Sequence, residues 1–445
     1  HLCEIVGNAT KMKKFIMQYW PILTLLAVWL LFAHPYFFKG LVPFPSRYLV
    51  DFFAPWNGFY GMPVKNVAMP DVITQLYPWK KITIDSWKQF QVPAWNPYQF
   101  GGYPLLANVQ SAVWTPLNLL FFILPYIDAW SLLILLQPIA AALGMYLFVR
   151  SIGQSKLASL LSSISFMFCG FIVVWMAYGT LAWAALSLPW ILWSLNRLSQ
   201  APTRKWILIT SVFVAFSLFS GHIQTSLYGI GASIFFAVLR RKNIAKALFS
   251  LLLGVVIATP QIIPTMRFYD QSVRSELFQK LEVIPWNYLP TILAPDILGN
   301  PVTRNDWFGH YAEWASFAGV IPLMLAAFGL FVPIKKPRIV WYFVLLGTAS
   351  LLLAFQTPIF DIVVSLKIPV LSTSAVSRII VLVSFSIAAL AGFGIDTLQK
   401  VWKERGLRFT AWYGIVWLLG ISVTWGMVLW GNLFWISDVD DEKLA

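Results

Sequence analysis

Charge is the first scarcity. Of 445 residues, 11% are Asp, Glu, Lys or Arg, while 59% are hydrophobic. Soluble domains carry about a quarter charged residues, so this composition excludes a soluble protein and points to one embedded in a membrane. Cysteine is equally scarce: Cys3 and Cys169 stand alone in different contexts and build neither a disulfide framework nor a zinc site. No glycine-rich loop suited to cradling a nucleotide phosphate is present. The interiors of the apolar runs hold almost no ionisable side chain, only His34 and His222 towards run ends. Ion-coupled transporters place carboxylates or cations at mid-depth. Their absence argues against ion-coupled transport and leaves a lipid flippase open.

Apolar runs and tryptophan are abundant, with 23 Trp in the chain. A membrane-crossing helix needs about 20 mostly apolar residues. Eleven such runs lie near 15–38, 128–149, 157–177, 180–196, 206–221, 223–239, 244–264, 314–333, 339–356, 376–396 and 409–435. Pro189 interrupts the fourth. "TPLNLLFFILP" (115–125) is too short to span and reads as re-entrant or interfacial. The stretch "MKKFIMQYWPILTLLAVWLLF" from Met12 reads as a retained first span. Its apolar run exceeds a signal-peptide core, and no small-residue cleavage site follows.

The distribution of charge then orients the chain. With the N-terminus inside and spans alternating, 19 of the 32 basic residues fall in short inner loops, against only 3 of the 18 acids. Lys/Arg excess marks the cytoplasmic side. The formal charge of +14 is thus a topological signature, and no nucleic-acid partner is expected. The expected organisation is an all-α polytopic membrane protein of about eleven transmembrane helices. It has a cytoplasmic tail (1–14), a first helix (15–38) and a long extracytoplasmic loop (39–127). Helices two to seven follow (128–264), then a second long outer loop (265–313). Helices eight to eleven (314–435) and an acidic tail (436–445), read as truncated, complete it. Inner loops of a few residues cannot fold into a catalytic unit, so the chemistry is expected outside.

The first outer loop contains "MPDVITQLYPWKKITIDSWKQFQVPAWNPYQFGGYPLLANVQSA" (69–112). Val72, Leu76, Trp79, Trp87 and Phe90 share one helical stripe, opposite Lys81, Asp85 and Lys88. Pro78 splits the pattern or opens its second part. An amphipathic segment of this kind lies flat at the bilayer surface. The Pro- and Gly-rich "VPAWNPYQFGGYP" marks tight turns, in which Asn96 and Asn108 are suited to turn formation. Asp71 after Pro70 is either a helix N-cap or a functional acid. Asp51, in "SRYLVDFFAPW", is either solvated or its partner.

Six segments in order resemble bacterial YfhO-type membrane proteins, assigned to the GT-C glycosyltransferases. They are "DVITQLYPW", "VPAWNPYQFGGYPLLANVQSAVWTPLNLL", "SGHIQTSLY", "TPQIIPTMRFYDQSVR", "HYAEWASFAGVIPLMLAAFG" and "STSAVSRIIVLVSFSIAALAGFG", spanning about Arg47 to Gly394. The resemblance implies a GT-C-like fold and transfer of a sugar from a polyprenyl-phosphate donor. The acceptor would be a cell-envelope glycan, lipid or protein at the extracytoplasmic face of the cytoplasmic membrane. It places the family's loop acid at Asp71, through "D-x-x-x-Q", and less directly at Asp51. Inverting displacement needs a base for the acceptor hydroxyl and positive charge for the leaving phosphate. The base candidates are Asp71, Asp51 and Glu313, the last alternatively a favoured acid at a helix start. Arg378, Arg267, Arg274, His222 and Lys80 are the phosphate candidates. Arg378 carries the fork that suits phosphate oxygens, with headgroup anchoring as its alternative. Gln75, Trp95, Asn96, Asn108, Gln110 and Gln224 are candidates for substrate contact. The sequence specifies no cofactor; a divalent Mg or Mn ion, if used, would fall to Asp51 and Asp71. A transporter or flippase of lipid-linked saccharide, or a non-catalytic assembly subunit, are the alternative readings.

Overall fold

The computed structural model describes residues 2–61, 69–273, 283–302, 310–368 and 374–434. Among the described residues the fold is all-α, with one antiparallel hairpin of two-residue strands, β1 (Trp95–Asn96) and β2 (Tyr103–Pro104). In chain order the helices are α1 (Leu2–Lys39), α2 (Arg47–Phe52), α3 (Trp56–Tyr60) and α4 (Tyr77–Lys88), the last entered through a π-helical turn at Val72–Leu76. Next come α5 (Leu120–Ile123), α6 (Tyr126–Ser151), α7 (Lys156–Met167), α8 (Gly170–Trp175) and α9 (Leu181–Gln200). Then follow α10 (Arg204–Phe219), α11 (Ile223–Arg240), α12 (Ile244–Ile257) and α13 (Thr259–Tyr269). The chain continues through α14 (Val320–Phe331), α15 (Arg338–Ala354), α16 (Pro358–Ser365) and α17 (Val381–Phe434).

Four helices among the described residues are long and apolar enough to cross a membrane: Ile16–Lys39 of α1, α6, α11 and Val376–Glu404. Counting α7 with the helix after it, and α12 with α13, as broken spans raises this to six. The protein is therefore a helical membrane protein. Helices occupy each of the eleven expected runs, but α10, α14 and α15 have only 16, 12 and 17 residues. A 68° bend separates α12 from α13, where Thr259 and Pro260 open the new helix and Pro264 lies within it.

The chain divides into two compact units. The first comprises His1–Ser46, Asp71–Phe168 and Trp175–Gln271. Within it α6 is central, 72% of its apolar window being buried, while α1 is marginal at 17% and keeps most of its surface for lipid. Indoles set the register of α9 on α6. Trp183 donates to the Leu133 carbonyl at 2.9 Å and Trp190 to that of Ala140 at 3.0 Å. Without water, a polar N–H must find a partner inside the protein. The Trp190 ring has room because position 144 is glycine; a Cβ there would lie 2.5 Å from the indole nitrogen. Both pairings advance in the same sense, so α6 and α9 are parallel and the chain returns between them. α10 and α12 are parallel in the same way. Ser211 Oγ donates to the Ser250 carbonyl at 2.8 Å, and Gly254 closes on Val214. Small residues permit this approach of backbones.

Polar contacts gather the basic segments of the first unit at one end. Lys156 Nζ donates to the Met17 and Gln18 carbonyls at 3.1 and 3.0 Å. Asn196 Nδ2 donates to the Ser151 carbonyl at 2.8 Å and Arg240 donates to Asn196 Oδ1. Asn243 Nδ2 reaches the Ser199 carbonyl at 3.2 Å. The helix ends bearing Arg150, Arg197 and Arg240 therefore meet beside the start of the apolar part of α1. At the other end Tyr36 donates to Asp128 at 2.8 Å.

The second unit comprises Arg47–Pro70, Cys169–Val174 and Ser272–Ala445. Its core is the first half of α17; the window within Val376–Glu404 is 83% buried. α14 packs on it through facing glycines. A Cβ on Gly329 would come 2.9 Å from Gly394 Cα, and one on Gly394 would fall on the Leu325 carbonyl. The helix of α17 is interrupted at Gly406, whose φ of 73° leaves helical geometry.

Candidate functional site

The long loop between α1 and α6 does not lie bare against a membrane. Val72, Leu76, Trp79, Thr83 and Ile84 are buried, and residues 105–118 of the same chain cover that face. Trp87 Nε1 donates to the Val113 carbonyl at 3.2 Å. Pro78 sits in the first turn of α4, directly after the π-helical turn Val72–Leu76. Phe90 departs from the expected stripe: it lies past the helix, at φ 57° and almost wholly exposed.

Lys80 is the surprise. Its side chain is buried, and Nζ donates to Asn118 Oδ1 at 2.8 Å and to the Ser111 carbonyl at 3.1 Å, with the Ala112 carbonyl at 3.5 Å. These acceptors are neutral. Burial pushes the amine down from its usual 10.5 to about 7, because removing an ammonium from water disfavours its charged form. As placed, Lys80 ties α4 to the covering loop, and its amine is spent on that loop. Its position four residues after Leu76 and three before Thr83 was a legible sign of an inward side chain.

Asp71 holds the most telling geometry. It has helical φ and ψ, and its carboxylate caps no backbone N–H. Instead Oδ1 accepts from Gln75 Nε2 at 3.0 Å, one turn on. The residue as a whole is exposed, but partial desolvation of its carboxyl raises its pKa. A carboxylate that is oriented by an amide, reachable and more basic than usual is suited to accept a proton.

The same unit brings a guanidinium to this loop's support. On α13, Gln261 Nε2 donates to the Leu106 carbonyl at 2.8 Å and Thr265 Oγ1 to that of Ala107 at 2.9 Å. Arg267 follows on that helix and is exposed. His222 is buried and caps α11, its Nδ1 accepting from the Thr225 N–H at 3.3 Å. Gln224, also buried, donates to Tyr228 at 3.0 Å. Asn96 and Asn108 do form turns: Asn96 Oδ1 accepts from the Tyr98 N–H and Asn108 Oδ1 from that of Gln110, at 3.0 and 3.1 Å. The residue that sequence reasoning missed is Gln99. Its Oε1 accepts from Trp79 Nε1 at 2.8 Å, Asn96 Nδ2 at 3.2 Å and Tyr103 at 3.3 Å. It pins the hairpin to the helix, and no spacing in the sequence marks it.

The remaining candidates lie in the second unit. Sequence reasoning gave Glu313 and Arg378 separate tasks; the structure joins them. Arg378 Nε and Nη2 both donate to the Glu313 carboxylate in a two-pronged ion pair, with side chains 19% and 12% exposed. The fork proposed for a phosphate is thus closed on a carboxylate here. Beside Glu313 in sequence, Trp314 lines a cavity with Tyr288, Tyr311 and Ser316, of about 30 Å³, enough for water but not for a sugar. Asp51 lies on α2 with Oδ1 shielded and no hydrogen-bond partner among the described residues. Arg274 lies outside the described residues. Among the described residues no three His, Cys, Asp or Glu side chains come together to hold a metal ion. Asp51 and Asp71 belong to different units.

A scan against protein-family models finds no match to this chain, and a search of curated proteins finds none either. The functional reading therefore rests on the residues themselves.

Proposed function

We propose that this protein is a membrane glycosyltransferase of the GT-C type. It would have eleven spans and an inner N-terminus, and would use a polyprenyl-phosphate sugar as donor at the outer face of the cell membrane. The observation that carries this reading is Asp71: an exposed acid, oriented by Gln75, relieved of any capping duty and raised in pKa. In the proposed step Asp71 takes the proton of an acceptor hydroxyl. The freed oxygen bonds to the anomeric carbon as the bond to the carrier phosphate breaks, with inversion. Arg267, exposed on the helix that buttresses the same loop, offers the departing phosphate its positive charge.

The test is transfer by purified protein from a panel of polyprenyl-phosphate sugars. General-base catalysis contributes about 10²–10⁴-fold, and Asp71→Asn is expected to lose that much turnover. Asparagine keeps the oxygen that accepts from Gln75, so insertion and donor binding should persist. Near-full activity in this variant would move the base to Asp51 or Glu313. A flippase would show no transfer at all and would keep its lipid flux. Orientation is checked separately. A cysteine at Lys88 should react with an impermeant reagent outside the cell and one at Lys336 should not; the reverse pattern would overturn the proposal.

A further inference from the structure

The segment from Gln89 to Tyr103, "QFQVPAWNPYQFGGY", contains no charged residue in a chain of net charge +14. Aromatic rings and side-chain amides alternate along it. Tyr98 and Phe100 are 81% and 96% exposed, Phe90 is 98% exposed, and Trp95 is 54% exposed. Exposure of this kind usually accompanies looseness, but here the backbone is anchored. Gln99 accepts from three donors, and its own Nε2 donates to the Thr74 carbonyl at 3.3 Å. Trp95 and Asn96 pair with Pro104 and Tyr103. The Trp95 indole lies directly on the backbone of Gly102, where a Cβ would be 2.6 Å from the ring. Half the ring stays open on a support that cannot yield.

Phe90 and Phe100 also adopt left-handed backbone conformations, with φ of 57° and 55°, which are unfavourable for a bulky side chain. Neither ring recovers that cost by burial. Phe90 takes this conformation where α4 ends, the Gln91 N–H bonding the Ser86 carbonyl at 2.9 Å, and Phe100 in a turn closed by the Gly102 N–H on the Gln99 carbonyl at 2.8 Å; both turns hold their rings outward.

We propose that this platform docks an uncharged glycan chain and that the acceptor is therefore a neutral saccharide polymer. Ring faces match the C–H faces of sugars, while Gln89 and Gln91, both exposed, match their hydroxyls. Between Gln89 and Tyr103 there is no cation, and the exposed Lys88 that precedes them stands alone, too little positive charge for a polyphosphate or acidic peptide. A membrane-inserting tip would also carry aromatic rings; of aliphatic side chains larger than alanine this segment exposes Val92 and Pro97, and quenching by spin-labelled lipid separates the two occupants. The role as acceptor site rests on the transferase reading; the binding itself does not.

The experiment measures binding of neutral glucan and chitin hexasaccharides to the full chain in nanodiscs, by calorimetry and without any donor. The unaltered protein should bind at least one. Tyr98→Ala and Phe100→Ala should each weaken that binding by about tenfold, as truncating an aromatic anchor commonly does. Their side chains are largely exposed, so folding is not at issue; Phe100→Tyr should bind nearly as the parent. No binding by the parent, or unchanged affinity in the alanine variants, overturns the proposal. A second measurement separates the membrane alternative. A fluorophore at Phe100→Cys, in a Cys3→Ser background, should escape quenching by nitroxide lipids; strong quenching makes the tip a bilayer anchor and also overturns the proposal. Binding without transfer would instead refute the transferase reading and leave the docking site standing.

Discussion

Two regions of this molecule each bury a charge, and they do so in opposite ways. In the second unit Arg378 is met by Glu313, charge against charge through two hydrogen bonds. In the first unit Lys80 meets no carboxylate, only an amide oxygen and backbone carbonyls. Dipoles satisfy the three N–H donors of an ammonium but do not cancel its charge, so burial wins and the amine is lowered to about 7. A lone buried charge thus becomes a titratable joint in its loop.

Breaking the pair should have the largest effect. Removing one partner of a buried ion pair leaves an uncompensated charge, at about 3–5 kcal/mol; the residual exposure here places Glu313→Ala near 3 kcal/mol, the lower end of that range. The double change Glu313→Ala with Arg378→Met should recover much of it. Denaturant unfolding in detergent checks this, and equal losses in the single and double variants would refute it. The next effect belongs to Lys80. The unfolded amine keeps its proton up to pH 10.5, while the native one releases it near 7. Between those values the unfolded state holds more protons, so stability should rise with pH by at most about 1.4 kcal/mol per unit, and flatten below pH 7. Lys80→Met should abolish that slope in thermal melts across the window; a persisting slope would place the titrating group elsewhere. The smallest effect sharpens the contrast. Lys81 pairs with Asp85 across one turn at the surface, and Lys81→Ala should cost only about 0.5 kcal/mol. A much larger loss would mean that exposed and buried charges are not distinguished here as supposed.

The sequence made legible what periodicity and charge bias encode. The apolar runs anticipate the helices, and the basic segments after α6, α9 and α11 converge at one end of the first unit. Asp71 was visible as an acid in a wet loop, but its capping role was not decidable: cap and helical residue differ by one turn of backbone. The fate of Lys80 was hidden for another reason. Its cage is built from Ser111 and Asn118, over thirty residues away, and no local pattern announces a partner at that separation. Glu313 and Arg378 were hidden likewise. Each had a sound separate reading, and only the fold of the second unit brings residues 65 positions apart into one fork. Gln99 had no pattern at all, since its three donors come from a helix and from both strands of the hairpin.

The two indole bonds between α9 and α6 bear on how the protein is assembled. Trp183 and Trp190 reach Leu133 and Ala140 with matched spacing, and a helix that slid by one turn, about 5.4 Å, would carry the Trp190 ring off Gly144 and onto Ala140 or Phe148, whose Cβ atoms leave it no room. In lipid neither indole could turn to water for a substitute. A full-turn error is penalised by that clash, and intermediate offsets satisfy neither ring. The pair works like a two-tooth key: during insertion the fourth expected span can seat against the second in one position, and a near miss is released to try again.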